Sequence, residues 1–357
     1  MNFNKRKVDL KNWGAISAAD WKNWEWQAKN RIRTLPKLAG YFGLSSETVQ
    51  PLKTVAGVYH FSMTPYYLSL INKEDESDPI RRQCFPDIKE VQFTIDGVPD
   101  PLEEEACMPV PGLVHRYADR CLAIATNRCV TYCRHCNRKR MWGKNLPTRQ
   151  KDYLKRMVDY VASSPVIREV IVSGGDPLTL NESLLDWFLG SLRSIRHVDV
   201  LRIGSRMPVV MPMRITHDLC RMLRSNRPLW FNTQFNHPRE LTMESARACD
   251  MLLEAGIPVS NQSVLLKGVN DDYEVMRDLV YGLQRLSVRP YYLFQCDPVA
   301  GTDHFRCDIL KGMAIIEKLW LNVSGLCLPR YVIDSPGRGG KIPIQPFSLL
   351  ADRSQAH

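Results

Sequence analysis

From about residue 113 onward, short β-rich runs alternate with amphipathic helical stretches at a spacing of about thirty residues, the length of one βα unit. The runs are CLAIATN (121–127), EVIVSGG (169–175), VLRIGS (200–205), LWFNTQF (229–235), PVSNQSVLL (258–266), PYYLFQC (290–296) and LPRYVID (328–334). Segments such as QKDYLKRMVDYVASS and TMESARACDMLLEAG lie between them with helical apolar spacing. Six such units predict an α/β chain built as an open or partial parallel barrel. No GxGxxG follows the first run, which argues against a dinucleotide-binding sheet.

Three regions follow from this pattern: a mainly helical N-terminal wrapping region (1–112), the barrel (113–345) and a short C-terminal tail (346–357). Residues 10–50 read as helical, with Ser17 as an N-cap and Asp20 three residues on. Trp21, Trp24, Ile32 and Leu35 approximate one apolar face, read as core packing. Residues 62–112 are rich in proline and acids and read as a wrapped connector with short helices.

Parallel barrels carry their chemistry at the carboxyl ends of strands. The conspicuous residues fall there: three cysteines after the first run, then SGGDP, GSR, FNHP, CDP and DSPGRGGK at later run ends. Asn261 and Gln262 lie within the fifth run. Residues 113–345 are therefore expected to form one catalytic unit.

Cys129, Cys133 and Cys136 stand at the spacing CxxxCxxC. A closed zinc site or a cubane iron–sulfur cluster takes four ligands. Zinc would need His135 or a distant residue as the fourth ligand. Three thiolates alone would instead hold a 4Fe-4S cluster with one iron left open. Eleven cysteines is an odd number for a disulfide framework. Cys84, Cys107, Cys220, Cys249 and Cys307 read as small buried apolar residues of a chain in a reducing, cytoplasmic setting.

No apolar run approaches the roughly 18 residues that span a bilayer, and no h-region follows the basic start, so neither membrane nor secretion is expected. The formal charge is +10, yet Lys and Arg are spread along the chain and no nucleic-acid motif is present. A solvated basic surface accounts for this, as does docking of an acidic electron donor.

The motifs TPYYLSLI, DPIRRQ, PVPGLVHRYADR, YCRHCNRKR, SGGDPL, RIGSRMPVV, FNHP, NQSVLLKGVND, RPYYLFQCD and DSPGRGGK occur in this order. Together, over residues 10 to about 347, the chain resembles the lysine 2,3-aminomutase family of radical S-adenosylmethionine enzymes. The resemblance implies a partial (β/α)6 radical-SAM barrel with an N-terminal helical extension. It also implies three cofactors: a 4Fe-4S cluster, S-adenosylmethionine and pyridoxal 5′-phosphate. Moving an amino group from C2 to C3 requires removing hydrogen from an unactivated carbon. That lies outside acid–base chemistry, because environment shifts a side-chain pKa by only roughly 3–5 units. A radical from reductive cleavage of S-adenosylmethionine can do it.

By the same resemblance, Cys129, Cys133 and Cys136 hold the cluster. Ser173, Gly174, Gly175 and Asp176 form the strand end that receives the methionine part, and Gln262 contacts the adenosyl part. Lys341 is the residue to which pyridoxal attaches. Arg116 and Arg120 are the candidates for its phosphate, and Tyr117 lines the ring. Arg138 takes the substrate carboxylate, and a bidentate arginine is expected there. Asp297 and Asp334 receive a distal ammonium, which implies a free cationic amino acid as substrate. A flavodoxin- or ferredoxin-type reductant is implied as a partner.

Three positions and the end of the chain depart from the family pattern. Gln234 stands where histidine is usual, Arg338 where glycine is, and Asp272 where a cysteine is. The chain ends 16 residues after Lys341 with no cysteine beyond Cys327, so a zinc-binding tail is not expected and homo-oligomer formation stays open. Arginine is the main alternative substrate, and a lysine of a translation elongation factor a third. From a different class, an iron–sulfur electron-transfer protein leaves Lys341 and the two aspartates unexplained.

Overall fold

The computed structural model describes residues 13–14, 16–92, 96–144 and 149–345. The expected tail, 346–357, lies outside the described residues. The β-rich runs form strands: β1 (Leu113–Val114), β2 (Arg120–Thr126), β3 (Glu169–Gly174), β4 (Val200–Gly204), β5 (Leu229–Thr233), β6 (Val259–Leu265), β7 (Arg289–Gln295), β8 (Arg330–Asp334) and β9 (Lys341–Pro343). They make one nine-stranded sheet in sequential order. Strands β2 to β8 run parallel. Short antiparallel strands flank them, β1 beside β2 and β9 beside β8. Among the described residues no pairing joins β9 back to β1, so the barrel is open.

Crossover helices cover one face between successive parallel strands: Gln150–Ala162, Glu182–Arg193, His217–Ser225, Met243–Glu254, Tyr273–Arg285 and Ile309–Asn322. Each buries one stripe. In Gln150–Ala162 the buried residues are Tyr153, Leu154, Met157 and Val161, at i, i+1, i+4 and i+8. The central strands turn Val170, Val172, Leu201, Ile203 and Phe231 into the same core.

The N-terminal region is broken more often than its sequence pattern suggests. Ser17 and Asp20 form the expected capping box on Ala18–Lys22. The helix stops at Asn23, whose side chain accepts from the backbone N–H groups of Glu25 and Trp26 and so starts a second helix, Trp24–Lys29. Ile32 is extended and bridges to Met63, and Leu35–Phe42 and Ser46–Val58 follow. Trp21, Ile32, Leu38 and Leu52 are buried in the same hydrophobic cluster as the sheet. The connector carries the short helices Pro65–Ser69, Pro79–Cys84 and Lys89–Gln92. No described helix is long and apolar enough to cross a membrane.

Candidate active site

A cavity of about 550 Å³ opens at the carboxyl ends of the parallel strands. It is lined by every residue to which the sequence assigned a site role, from Cys129, Cys133 and Cys136 at one wall to Lys341, Asp297 and Asp334 at another.

The cysteine wall depends on two glycines. Gly174 has φ +118°, and a Cβ there would lie 2.3 Å from the Thr126 carbonyl; one on Gly175 would lie 2.4 Å from that of Arg128. The end of β3 therefore packs directly on the backbone that leads into Cys129. Asp176 lines the cavity and is also bonded within the fold. Its carboxylate accepts from the Ser205 hydroxyl (2.8 Å) and from the N–H groups of Leu178 (3.0 Å) and Arg206 (2.9 Å), which ties β3 to β4. Burial pushes its pKa up to about 6 against those bonds.

The basic run after the cysteines is not solvated. Glu90, a buried connector residue, accepts a fork from Arg134 (2.9 and 2.5 Å) and a third bond from Lys139 Nζ at 2.7 Å. Burial pulls the Lys139 pKa down to about 8. Glu104, also from the connector and also buried, accepts from Arg138 Nη2 at 2.6 Å and Nε at 3.0 Å, and from Arg140 at 3.0 Å. The fork of Arg138 foreseen for a substrate carboxylate is thus already engaged by Glu104. Its Nη1 makes no hydrogen bond or ion pair with a described residue, and Arg138 lines the cavity.

At the opposite wall, Lys341 Nζ donates to Tyr117 Oη and to Asp334 Oδ2, each at 3.1 Å. Gly337 and Gly340 take φ +56° and +71°, which turns the chain back so that β9 runs antiparallel to β8. Arg116 holds that turn. Its Nε donates to the Gly337 carbonyl at 2.5 Å, its Nη2 to the Ser335 carbonyl, and Nη1 pairs with Asp334 at 3.7 Å. Arg116 is therefore a loop clamp, and Arg120 is the freer of the two arginines expected at a phosphate. The Arg120 guanidinium stacks 3.7 Å from the Tyr117 ring centroid and pairs with Asp119 at 2.8 Å.

Asp297 stands with Asp334 in this cavity. Burial and the charge of Asp334 push its pKa up to about 7, while Asn137 and Lys341 act the other way. Gln262 enters the lining where the β6–β7 register shifts between Asn261 and Gln262; irregularities of this kind re-aim side chains. The departures from the family pattern resolve differently. Gln234 Nε2 lies 3.1 Å from His135 Nε2. Asp272 caps Tyr273–Arg285. Arg338 is exposed and outside the cavity lining.

The residues present fit the implied groups. The three thiols line one wall without converging on a single-ion position, as no described group of three or more His, Cys, Asp or Glu does. A cubane distributes its thiolates over separate irons. Burial raises the Cys129 and Cys136 thiols, so their thiolates need positive charge beside them, as iron provides. His135 is held at its Nε2 by Asn236 Nδ2 (3.3 Å) and Gln234 Nε2 (3.1 Å), and no described group of three or more His, Cys, Asp or Glu that includes it is placed to hold a single metal ion. A lysine beside a tyrosine and an aspartate, with Tyr292 and Phe294 rings 5.8 and 5.4 Å from its Nζ, suits an aromatic aldehyde cofactor.

Glu90, Glu104, Arg206 and Glu240 were not assigned roles from the sequence. Arg206 stands inside the quoted RIGSRMPVV motif. The two connector glutamates sit in the proline- and acid-rich connector, and only their burial against the cysteine loop marks them.

A profile described as the Radical SAM superfamily matches residues 123–280, and one described as Lysine-2,3-aminomutase matches residues 316–356. The chain is 45% identical over 342 residues to the L-lysine 2,3-aminomutase of Clostridium subterminale, spanning 96% of this chain and 82% of that one. It is 46% identical over 336 residues to the L-lysine 2,3-aminomutase of Acetoanaerobium sticklandii, spanning 94% and 81%. It is 40% identical over 349 residues to the glutamate 2,3-aminomutase of Clostridioides difficile, spanning 98% and 82%.

Proposed function

Since this chain belongs to the lysine 2,3-aminomutase family of radical S-adenosylmethionine enzymes, we propose that it moves the α-amino group of a free cationic amino acid to C3, converting L-lysine to β-lysine. The enzyme class, an isomerase acting as an amino acid 2,3-aminomutase, follows from the family. The substrate does not, because a glutamate-named relative is 40% identical. One observation carries the lysine reading: Asp297 and Asp334 share the cavity wall, and Asp297 is held near neutrality by burial and by its neighbour. Asp334 already pairs with Lys341 and Arg116, whereas Asp297 makes no ion pair among the described residues, so a cationic side chain supplies the missing counter-charge and a neutral or acidic one leaves Asp297 without it.

The cluster and S-adenosylmethionine supply the hydrogen-abstracting radical when bound, and pyridoxal phosphate carries nitrogen between the carbons. The chain's residues do the positioning. Cys129, Cys133 and Cys136 hold iron. Ser173 and the Gly174–Gly175 edge border the methionine position, with Asp176 keeping that edge in place, and Gln262 borders the adenosyl position. Lys341 anchors pyridoxal against Tyr117, with Arg120 toward its phosphate. Arg138 Nη1 takes the substrate carboxylate, and Asp297 with Asp334 takes the distal ammonium. The connector closes over the cysteine loop through Glu90 and Glu104 and keeps water from the reacting carbon.

The proposed reductant is an acidic flavodoxin- or ferredoxin-type protein, matched to the +10 charge of the chain. Free thiols at all eleven cysteines suit the cytoplasm. The test is anaerobic incubation of reconstituted enzyme with lysine, arginine, glutamate and norleucine, followed by analysis for the β-isomer. β-Lysine as main product is expected. Turnover of glutamate or norleucine at the rate of lysine overturns the cationic-substrate reading.

A further inference from the structure

We infer that Arg206 is a positioning residue that raises the reduction potential of the iron–sulfur cluster, through a hydrogen bond from its guanidinium to the thiolate of Cys133. This rests on the reading that the three cysteines hold that cluster.

The geometry is specific. Arg206 Nη1 donates to Cys133 Sγ at 2.9 Å. The other corners of the guanidinium are occupied. Nε donates to the Gln234 carbonyl at 3.0 Å, and Nη2 donates to Gln83 Oε1 at 2.5 Å, Glu240 Oε1 at 2.7 Å and Tyr67 Oη at 3.2 Å. Glu240 is itself fixed, accepting from the N–H groups of Asn236 (2.6 Å) and His237 (3.0 Å) and from the Tyr67 hydroxyl (2.7 Å). Arg206 is buried, and its charge is balanced by Glu240, which is fully buried. The group cannot rotate away, so Nη1 is a preset donor aimed at one cysteine.

An N–H directed at a ligand sulfur tunes its cluster. One-electron reduction adds negative charge to the cluster, and part of it falls on the thiolates. A cationic donor already in place stabilises that charge and makes reduction easier. This matters because the reaction starts from the reduced cluster, and a buried cluster with three thiolates is hard to reduce. A purely structural alternative exists, since the same arginine joins the connector (Tyr67, Gln83) to the β5–β6 side of the barrel (Gln234, Glu240). That role predicts lost stability but no change in potential.

The test compares anaerobically reconstituted wild type and Arg206→Lys by iron and sulfide content, thermal melting and EPR-monitored redox titration. Lysine keeps the charge but loses the fork, so the donor to Cys133 is lost while partial pairing with Glu240 survives. With cluster content equal, the reduced-to-oxidised ratio at a fixed potential is expected to fall about tenfold, a shift of about 59 mV toward more negative potential. An unshifted potential in a fully loaded variant overturns the inference. If the variant does not retain its cluster, wild type grown with guanidino-15N-arginine decides. A 15N hyperfine coupling to the reduced cluster supports the bond, and its absence overturns it. A wild-type chain that takes up no cluster overturns the aminomutase reading together with this one, which separates the two failures.

Discussion

Asp334 and Lys341 are cross-strand partners in the β8–β9 ladder, and their side chains meet at 3.1 Å. The carboxylate expected to receive the substrate ammonium therefore already faces a protein cation, with the Arg116 guanidinium a further 3.7 Å contact. Asp297, the second carboxylate, is the less compensated of the two, and its raised pKa reflects that. The pair is unequal: Asp334 has Lys341 and Arg116 beside it, while Asp297 makes no ion pair among the described residues.

Changing Asp297 to Asn should cost more with lysine than changing Asp334 to Asn. Truncating one partner of a buried charge pair costs about 2–5 kcal/mol, roughly 30- to several-thousand-fold. The loss is expected in kcat/KM for lysine, with cleavage of S-adenosylmethionine retained. Steady-state kinetics with lysine and norleucine check this. Equal losses for both substrates would show that the aspartates do not read charge.

The same carboxylate sets a pH dependence. With its pKa raised to about 7, Asp297 is partly protonated in the free enzyme near neutrality. A cationic substrate favours its ionised form, so kcat/KM for lysine should rise with pH through about 7 and level off above it. Stability should run the other way. The folded chain holds a proton that the unfolded chain releases above its ordinary carboxylate pKa, so this residue's contribution falls as pH rises from about 4 to about 7. Asp297→Asn should remove both slopes, as measured by kinetics and by urea unfolding across that range.

Lys341→Ala should abolish the pyridoxal absorption band and aminomutase turnover while leaving the cluster spectrum intact. It also frees Asp334 of one cation. A persisting pyridoxal band would assign the cofactor to another lysine.

Replacing Cys129, Cys133 or Cys136 by alanine should reduce bound iron and eliminate reductive cleavage of S-adenosylmethionine. Anaerobic iron analysis and detection of 5′-deoxyadenosine check this. Wild-type cleavage in any one variant removes that cysteine from the ligand set.

Glu104→Ala leaves Arg138 and Arg140 without their shared carboxylate. Breaking a buried pair of this kind costs about 3–5 kcal/mol, which urea unfolding will show. Because Arg138 also loses its orientation, KM for lysine should rise. Glu104→Asp, which keeps the charge, should recover part of both effects.

The sheet and the gathering of the candidate residues at its strand ends were legible from the chain because their signals are local. Strand runs and crossover helices carry their own periodicity, Cys129, Cys133 and Cys136 sit within eight residues, and Lys341 follows a glycine turn. Those features determined the open parallel barrel, the cysteine loop and the cavity end. The N-terminal stretch misled because Asn23 offers its side chain to the backbone and splits one apolar face into two helices. The partner of each charge was decided only by tertiary structure. Glu104 meets Arg138 across 34 positions, Glu90 meets Arg134 across 44, and Arg206 meets Cys133 across 73. Coulomb and hydrogen-bond energies depend on distance and burial, which no spacing along the chain encodes. The acid-rich connector therefore reads in sequence only as a wrapped segment, yet once folded over the cysteine loop its Glu90 and Glu104 become the buried counter-charges that orient the arginines.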